Sequence, residues 1–172
     1  MQNIMLDLET MGTNPDALIL AIGAVEFDIE IGTSFYVKID IESAVKCGGV
    51  IDASTVLWWM KQNDAARRYI TSTSEDVNVL TALSMFTEWF NSVDGKYVWG
   101  NGSDFDNVIL SSAYRNCKME APWKFYNNRC YRTLKNLYSN VMMPSVGTKH
   151  NAVDDAESQA MHAIAILKER NR

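Results

Sequence analysis

The chain has 172 residues, 47% of them hydrophobic, which is enough to bury a core without disulfide or metal staples and suits one domain over residues 1–172. A net charge of -5 weighs against a general polyanion-binding surface, and no apolar run approaches the length of a membrane span. The opening MQNIMLDLET lacks a basic and apolar leader, and the scattered Cys47, Cys117 and Cys130 lack zinc-site spacing, which suits reduced thiols in a cytoplasm.

In chain order, Asn3 to Glu9 reads as a strand, closed by a turn at Met11-Gly12-Thr13-Asn14-Pro15. Leu18 to Phe27 and Ser34 to Ile39 are two further strands, and short connections predict antiparallel pairing of all three. Helical periodicity follows. Ser54 can cap a segment carrying Val56, Leu57 and Met60, and Ser72 with Glu75 has the capping-box spacing ahead of a helix with Val79, Leu80, Leu83, Phe86 and Phe90 on one stripe. Lys96 to Trp99 reads as a short strand and Asp104 to Asn116 as a helix with Ile109, Leu110 and Ala113 inward. Another strand and helix fit within Arg129 to Tyr138, and a last helix runs from about Ala152 to Glu169. The sum is an α/β domain with a mixed sheet.

Three segments carry candidate chemistry. In Leu6-Asp7-Leu8-Glu9 the two-residue period puts both carboxylates on one strand face, although alternating acids also occur on ordinary solvent-facing strands. Trp99 to Asp106 leaves a strand through Gly100 and Gly102 and enters a helix, so Asp106 falls near a helix N-terminus, where an acid also serves simply to complement the helix dipole. Asp104 is the expected cap of that helix. In Lys149-His150-Asn151-Ala152-Val153-Asp154-Asp155, Asn151 as N-cap makes Asp154 N3, His150 N′ and Asp155 N4, and side chains at N′ and N4 converge. A histidine packed on the helix start beside an acid would satisfy the same spacing. Four carboxylates gathered together persist only with cations or with raised pKa values; a set of hard oxygens selects Mg²⁺ or Mn²⁺ rather than zinc, two such ions can clamp a phosphodiester displacement, and a neutral imidazole nearby can take a proton from water.

These segments, in this order, resemble the motifs of the DEDD exonuclease superfamily, in its subgroup with a histidine in the last motif, which includes bacterial proofreading exonucleases. Asp7-Leu8-Glu9-Thr10 is similar to the first motif, Asn101 to Asp106 to the second and His150 to Asp155 to the third. Leu57-Trp58-Trp59, Trp99-Gly100-Asn101-Gly102, Phe105 to Leu110 and His150 to Ala156 extend a resemblance to the exodeoxyribonuclease VIII-like and mycobacterial exoribonuclease-like group over nearly the whole chain.

The resemblance implies a ribonuclease-H-like fold, a five-stranded mixed β-sheet flanked by α-helices, with 3′→5′ exonuclease activity. It implies that Asp7, Glu9, Asp106 and Asp155 hold the metals and that His150 is the general base. It further implies that Thr10, Met11 and Asn101 contact substrate, while Trp58 and Trp59 either stack on bases or form a packed helix face. The expected partner is the 3′ end of a single strand, with DNA slightly favoured over RNA. A homodimer is in keeping with relatives that pair, and a non-catalytic binding module would be expected to lack one of the five site residues. The basic groups Arg67 with Arg68, Lys124 with Arg129, Arg132 and Lys135, and Lys149 are candidate phosphate contacts or solvated faces.

Overall fold

The computed structural model describes residues 2–102, 104–144, 146–147 and 150–170, so Lys149 lies outside the described residues. Five strands form one mixed sheet: β1 (Asn3–Thr10), β2 (Ile19–Phe27), β3 (Ile31–Lys38), β4 (Tyr97–Gly100) and β5 (Asn128–Cys130), in the order β3-β2-β1-β4-β5. The β1–β2 and β2–β3 pairs are antiparallel, as the short connections predict, and β1–β4 and β4–β5 are parallel. Parallel neighbours need a crossover, which the helices between β3 and β4 and between β4 and β5 provide.

Because β1 is central, both of its faces are covered. Ile4, Leu6 and Leu8 point into the larger core, together with Leu83, Phe86 and Phe90 of α4 (Val79–Ser92) and Ile109 and Leu110 of α5 (Asp106–Asn116). Met5 points the other way, into a smaller core shared with Ala156, Ala160 and Ala163 of α7 (Ala152–Arg170) and with Tyr131 of α6 (Tyr131–Leu137). The alanines of α7 let this helix lie close across β1, β2 and β3. Asp7 and Glu9 share Met5's face, so the alternation that separates acids from leucines delivers both carboxylates under the N-terminal part of α7.

Gly23 of β2 pairs with Asp7, and a Cβ on it would stand 2.1 Å from the carbonyl carbon of Ala152. Only glycine therefore allows the first turn of α7 to settle on the sheet beside Asp7. Gly100 plays the same part at the end of β4, where a Cβ would meet the Asn107 side chain at 2.2 Å.

Several expected details differ. The helix with Trp58 and Trp59, α2 (Ala53–Met60), has Asp52 rather than Ser54 as N-cap, and the Asp52 carboxylate accepts instead from the Thr13 N–H at 3.1 Å. Ser72 is no capping-box residue: it ends a short helix, α3 (Asp64–Thr71), and α4 is capped by Asn78, whose side chain accepts from the Leu80 N–H. On α4, Leu80 faces outward at 45% exposure while the rest of its stripe is buried. The N-cap of α5 is Phe105 rather than Asp104, with no side-chain cap bond. A further short helix, α1 (Ile41–Lys46), is capped by Asp40.

Candidate active site

At the C-terminal end of β1 the ladder shifts register between Glu9 and Thr10, an irregularity of the kind that re-aims side chains beside functional sites. There, oxygens of Asp7, Glu9 and Asp155 all lie within 4.8 Å of one another. Glu9 is only 7% exposed. Asp106 stands just outside this trio at the first position of α5, with both oxygens engaged by backbone: Oδ1 accepts from the Leu8 N–H at 3.1 Å and Oδ2 from the Asn101 N–H at 2.9 Å. It thereby pins the loop after β4 to β1.

Burial pushes the Glu9 carboxyl up to about 8, with the charges of Asp155 and Asp106 adding to the effect. Asp7 is raised well above the ordinary carboxylate range, first by burial and then by Asp106, Glu9 and Asp155, against one lowering contact in which Gln159 Nε2 donates to its Oδ1 at 2.7 Å. Asp106 rises to about 6 through burial, restrained by its backbone donors and by the nearby positive charge of Arg132. Acids raised in this way are groups that a bound cation would return to their charged form. An all-oxygen set within this spread fits a hard divalent ion, and Asp7, Glu9 and Asp155 are the residues that would hold it. The buried Oε1 of Gln159 and Oδ1 of Asn101 have no hydrogen-bond partner among the described residues, which leaves polar capacity at the same place.

The third motif forms as its spacing predicts, with one difference. The Asn151 side chain caps α7 by accepting from the N–H groups of Val153 and Asp154, and His150 and Asp155 converge. The bond between them, however, runs from the backbone N–H of His150 to Asp155 Oδ2 at 3.0 Å. His150 takes a left-handed backbone, φ 65°, which turns its ring toward α2. The imidazole meets the rings of Trp58 and Trp59 edge to face, with centroids 5.3 and 6.2 Å away.

The tryptophans divide their roles. Trp59 is 2% exposed and donates its indole N–H to the Thr10 carbonyl at 2.9 Å, fastening α2 to the end of β1, whereas Trp58 is 44% exposed. Between them and Glu9 opens a cavity of about 390 Å³, lined also by Thr10, Gly12, Thr55 and Phe105, within the range of small-ligand sites. Met11 does not line it and packs against the larger core. Sequence reasoning assigned no site role to Gln159 or Phe105. Gln159 was detectable, since it lies four residues beyond Asp155 on the same helix face. Farther along α7, His162 is a packing residue whose Nδ1 meets Tyr131 Oη at 2.7 Å.

A five-stranded sheet of this order, with acids gathered at the end of its central strand, defines the class: an exonuclease fold of the ribonuclease-H-like kind. Residues 2–167 match the family described as the 3′-5′ exoribonuclease Rv2179c-like domain, and the chain belongs to that family of 3′→5′ exonucleases. It is 27% identical over 161 residues to an exodeoxyribonuclease of Enterobacteria phage T4, covering 77% of this chain and 70% of that protein. Among solved structures, E. coli exonuclease I in its zinc-bound complex with single-stranded DNA superposes with a TM-score of 0.63 at 15% identity, over 100% of this chain and 42% of that one. This chain thus spans less than half of exonuclease I. A full-length 3′-exonuclease superposes with a TM-score of 0.59 at 14% identity, over 98% of this chain and 82% of that one. Among the described residues no helix is long and apolar enough to cross a membrane.

Proposed function

We propose that the chain, as one catalytic domain over 1–172, uses two Mg²⁺ or Mn²⁺ ions to remove nucleoside monophosphates from the 3′ end of single-stranded DNA. The observation that carries this reading is the convergence of Asp7, Glu9 and Asp155 within 4.8 Å, with Asp106 beside them and the Asp7 and Glu9 carboxyls held above their ordinary range. Asp7, Glu9 and Asp155 would hold the ions directly, and Asp106 would do so directly or through water. When bound, such ions neutralise the phosphodiester and favour ionisation of the attacking water.

The rest falls to the chain's own groups. The cavity at Thr10 and Trp58 receives the terminal nucleotide, with Trp58 offering a face for the base and Trp59 keeping the wall rigid through Thr10. The imidazole of His150 accepts the proton of the attacking water at a ring nitrogen, held near the site by its backbone bond to Asp155 and by Trp58. Asn101 orients Asp106 through its N–H. The unpaired thiols and the phage relative are in keeping with work in the cytoplasm of a bacterial or infected cell. The family description favours a second reading, RNA as the strand degraded, whereas the phage relative and the DNA complexes favour DNA.

The test is incubation of 5′-labelled single-stranded DNA and RNA of matched sequence with Mn²⁺, with Mg²⁺, with zinc and with EDTA. A ladder shortening from the 3′ end, abolished by EDTA, restored by Mg²⁺ or Mn²⁺ and incompletely by zinc, is expected, with the faster ladder identifying the sugar. Cleavage indifferent to chelation would point to another site, and binding without cleavage to a non-catalytic module.

A further inference from the structure

Away from the carboxylates, the edge of the sheet at β5 gathers cations and aromatic rings that the catalytic reading leaves unused. Arg132 lies at the start of α6, and its guanidinium would stand 3.9 Å from a Cβ at Gly102, in the loop that leads from β4 to Asp106. Lys135 follows one turn later on the same helix, its ammonium 5.3 Å from the centre of the Tyr131 ring. On β5, the Arg129 guanidinium stacks over the Tyr97 ring at 4.5 Å, with the Lys96 ammonium 5.2 Å from the same ring. Arg129 also donates to the carbonyl of Tyr126 at 3.2 Å, which links it to a 3-10 turn, Phe125–Asn127.

The Phe125 ring in that turn is 83% exposed and that of Tyr126 is 66% exposed, and they stand edge to face at 5.4 Å with the exposed Lys124 alongside. Among the described residues none of Lys96, Lys124, Arg129, Arg132 and Lys135 makes an ion pair with a carboxylate. In a chain with 21 acidic and 16 basic residues, a run of unpaired cations is a local reversal of charge. Charge on an edge strand discourages sheet pairing, but that purpose does not account for two large rings held in water.

We propose that this edge is a track for the single strand upstream of the scissile end, with Arg132 nearest the site taking a phosphate, Arg129 and Lys124 taking later ones, and bases stacking on Phe125 and Tyr126. The track rests on the nucleic-acid reading of the active site. Base stacking on aromatic rings tolerates any sequence, and cations spaced along the path hold the backbone, which suits an enzyme that must follow a strand of arbitrary sequence.

The experiment compares kcat/KM on a dinucleotide with that on an oligonucleotide of roughly 12 nucleotides, within the site sizes of single-strand binders, for wild type, Phe125→Ala/Tyr126→Ala and Lys124→Gln/Arg129→Gln. Wild type should favour the longer strand, and the aromatic pair variant should lose about tenfold or more of that preference, mainly through KM. The charge variant should lower the slope of log affinity against log salt by about 0.7 for each phosphate it no longer neutralises. Melting curves check that the substitutions, that of the half-buried Arg129 included, leave the fold intact. A wild type indifferent to length, or variants that keep the full preference, would overturn the track. So would variants that change sedimentation from dimer to monomer with strand affinity unaltered, which would make the edge a contact between copies. If wild type cleaves neither substrate, it is the exonuclease reading that fails.

Discussion

Asp7→Asn is expected to lower hydrolysis by about three orders of magnitude or more while raising the melting temperature of the metal-free protein at pH 8. Asp7 sits at the centre of the acids, raised by burial and by Asp106, Glu9 and Asp155, and asparagine keeps the hydrogen bond from Gln159 while removing the charge. The sign with pH follows from the raised values. An acid whose folded value exceeds its unfolded one contributes stability that is complete below the unfolded value, near about 4, and is lost as pH rises through the folded value. With Asp106 at about 6 and Glu9 at about 8, the metal-free wild type should lose melting temperature steadily from about pH 4 up to about pH 8. Asp7→Asn should flatten that fall, and Mn²⁺ should restore the wild type far more than the variant. Thermal scans in EDTA across this pH range, paired with the oligonucleotide assay, read both effects. A variant with wild-type turnover would remove Asp7 from the metal site.

His150→Asn should cost about 10²- to 10⁴-fold in kcat with little change in KM, the range expected for loss of a general base. Asparagine is the informative replacement because it tolerates the left-handed backbone at this position, φ 65°, and keeps the N–H bond to Asp155, whereas alanine adds backbone strain. The imidazole is not one of the converging carboxylate groups, so the stabilisation given by Mn²⁺ should survive intact. Single-turnover rates together with metal-dependent melting separate the two roles. If the metal response disappears along with activity, His150 acts by assembling the site rather than by moving a proton.

The parts of the site legible in the sequence were those where local geometry decides position. A two-residue period is enough to put Asp7 and Glu9 on one strand face, and capping geometry is enough to bring His150 to Asp155. What spacing cannot give is which face of β1 α7 will cover, since that depends on the missing side chain of Gly23 and on the alanines of α7. Nor could it say which atom of His150 makes the bond to Asp155, because that follows from one residue's backbone conformation. The helices α1 and α3 were missed because about two turns apiece carry too few apolar positions to show a period. Ser72 and Glu75 matched a capping pattern that occurs readily by chance, and the helix start was decided instead by the Asn78 cap on the Leu80 N–H and by the bond from the Val79 N–H to Ser43 Oγ. For the tryptophans, adjacency on a helix predicts divergence, but only the Thr10 carbonyl determines which of them turns inward.

The acids of the site are contributed by β1, by α5 and by α7, and they meet only when β1 has paired with β4 and α7 has crossed the sheet. The repulsion between acids of different elements is therefore absent from the unfolded chain and from a folding transition state reached before α7 docks, whereas Asp7 and Glu9 already share β1. It burdens the finished structure alone, so it acts on the rate of leaving the native state and not on the rate of reaching it. In stopped-flow experiments Mg²⁺ should slow the unfolding limb of the chevron and leave the refolding limb in place. A divalent ion would thus serve this fold as a latch, fitted after the chain has closed.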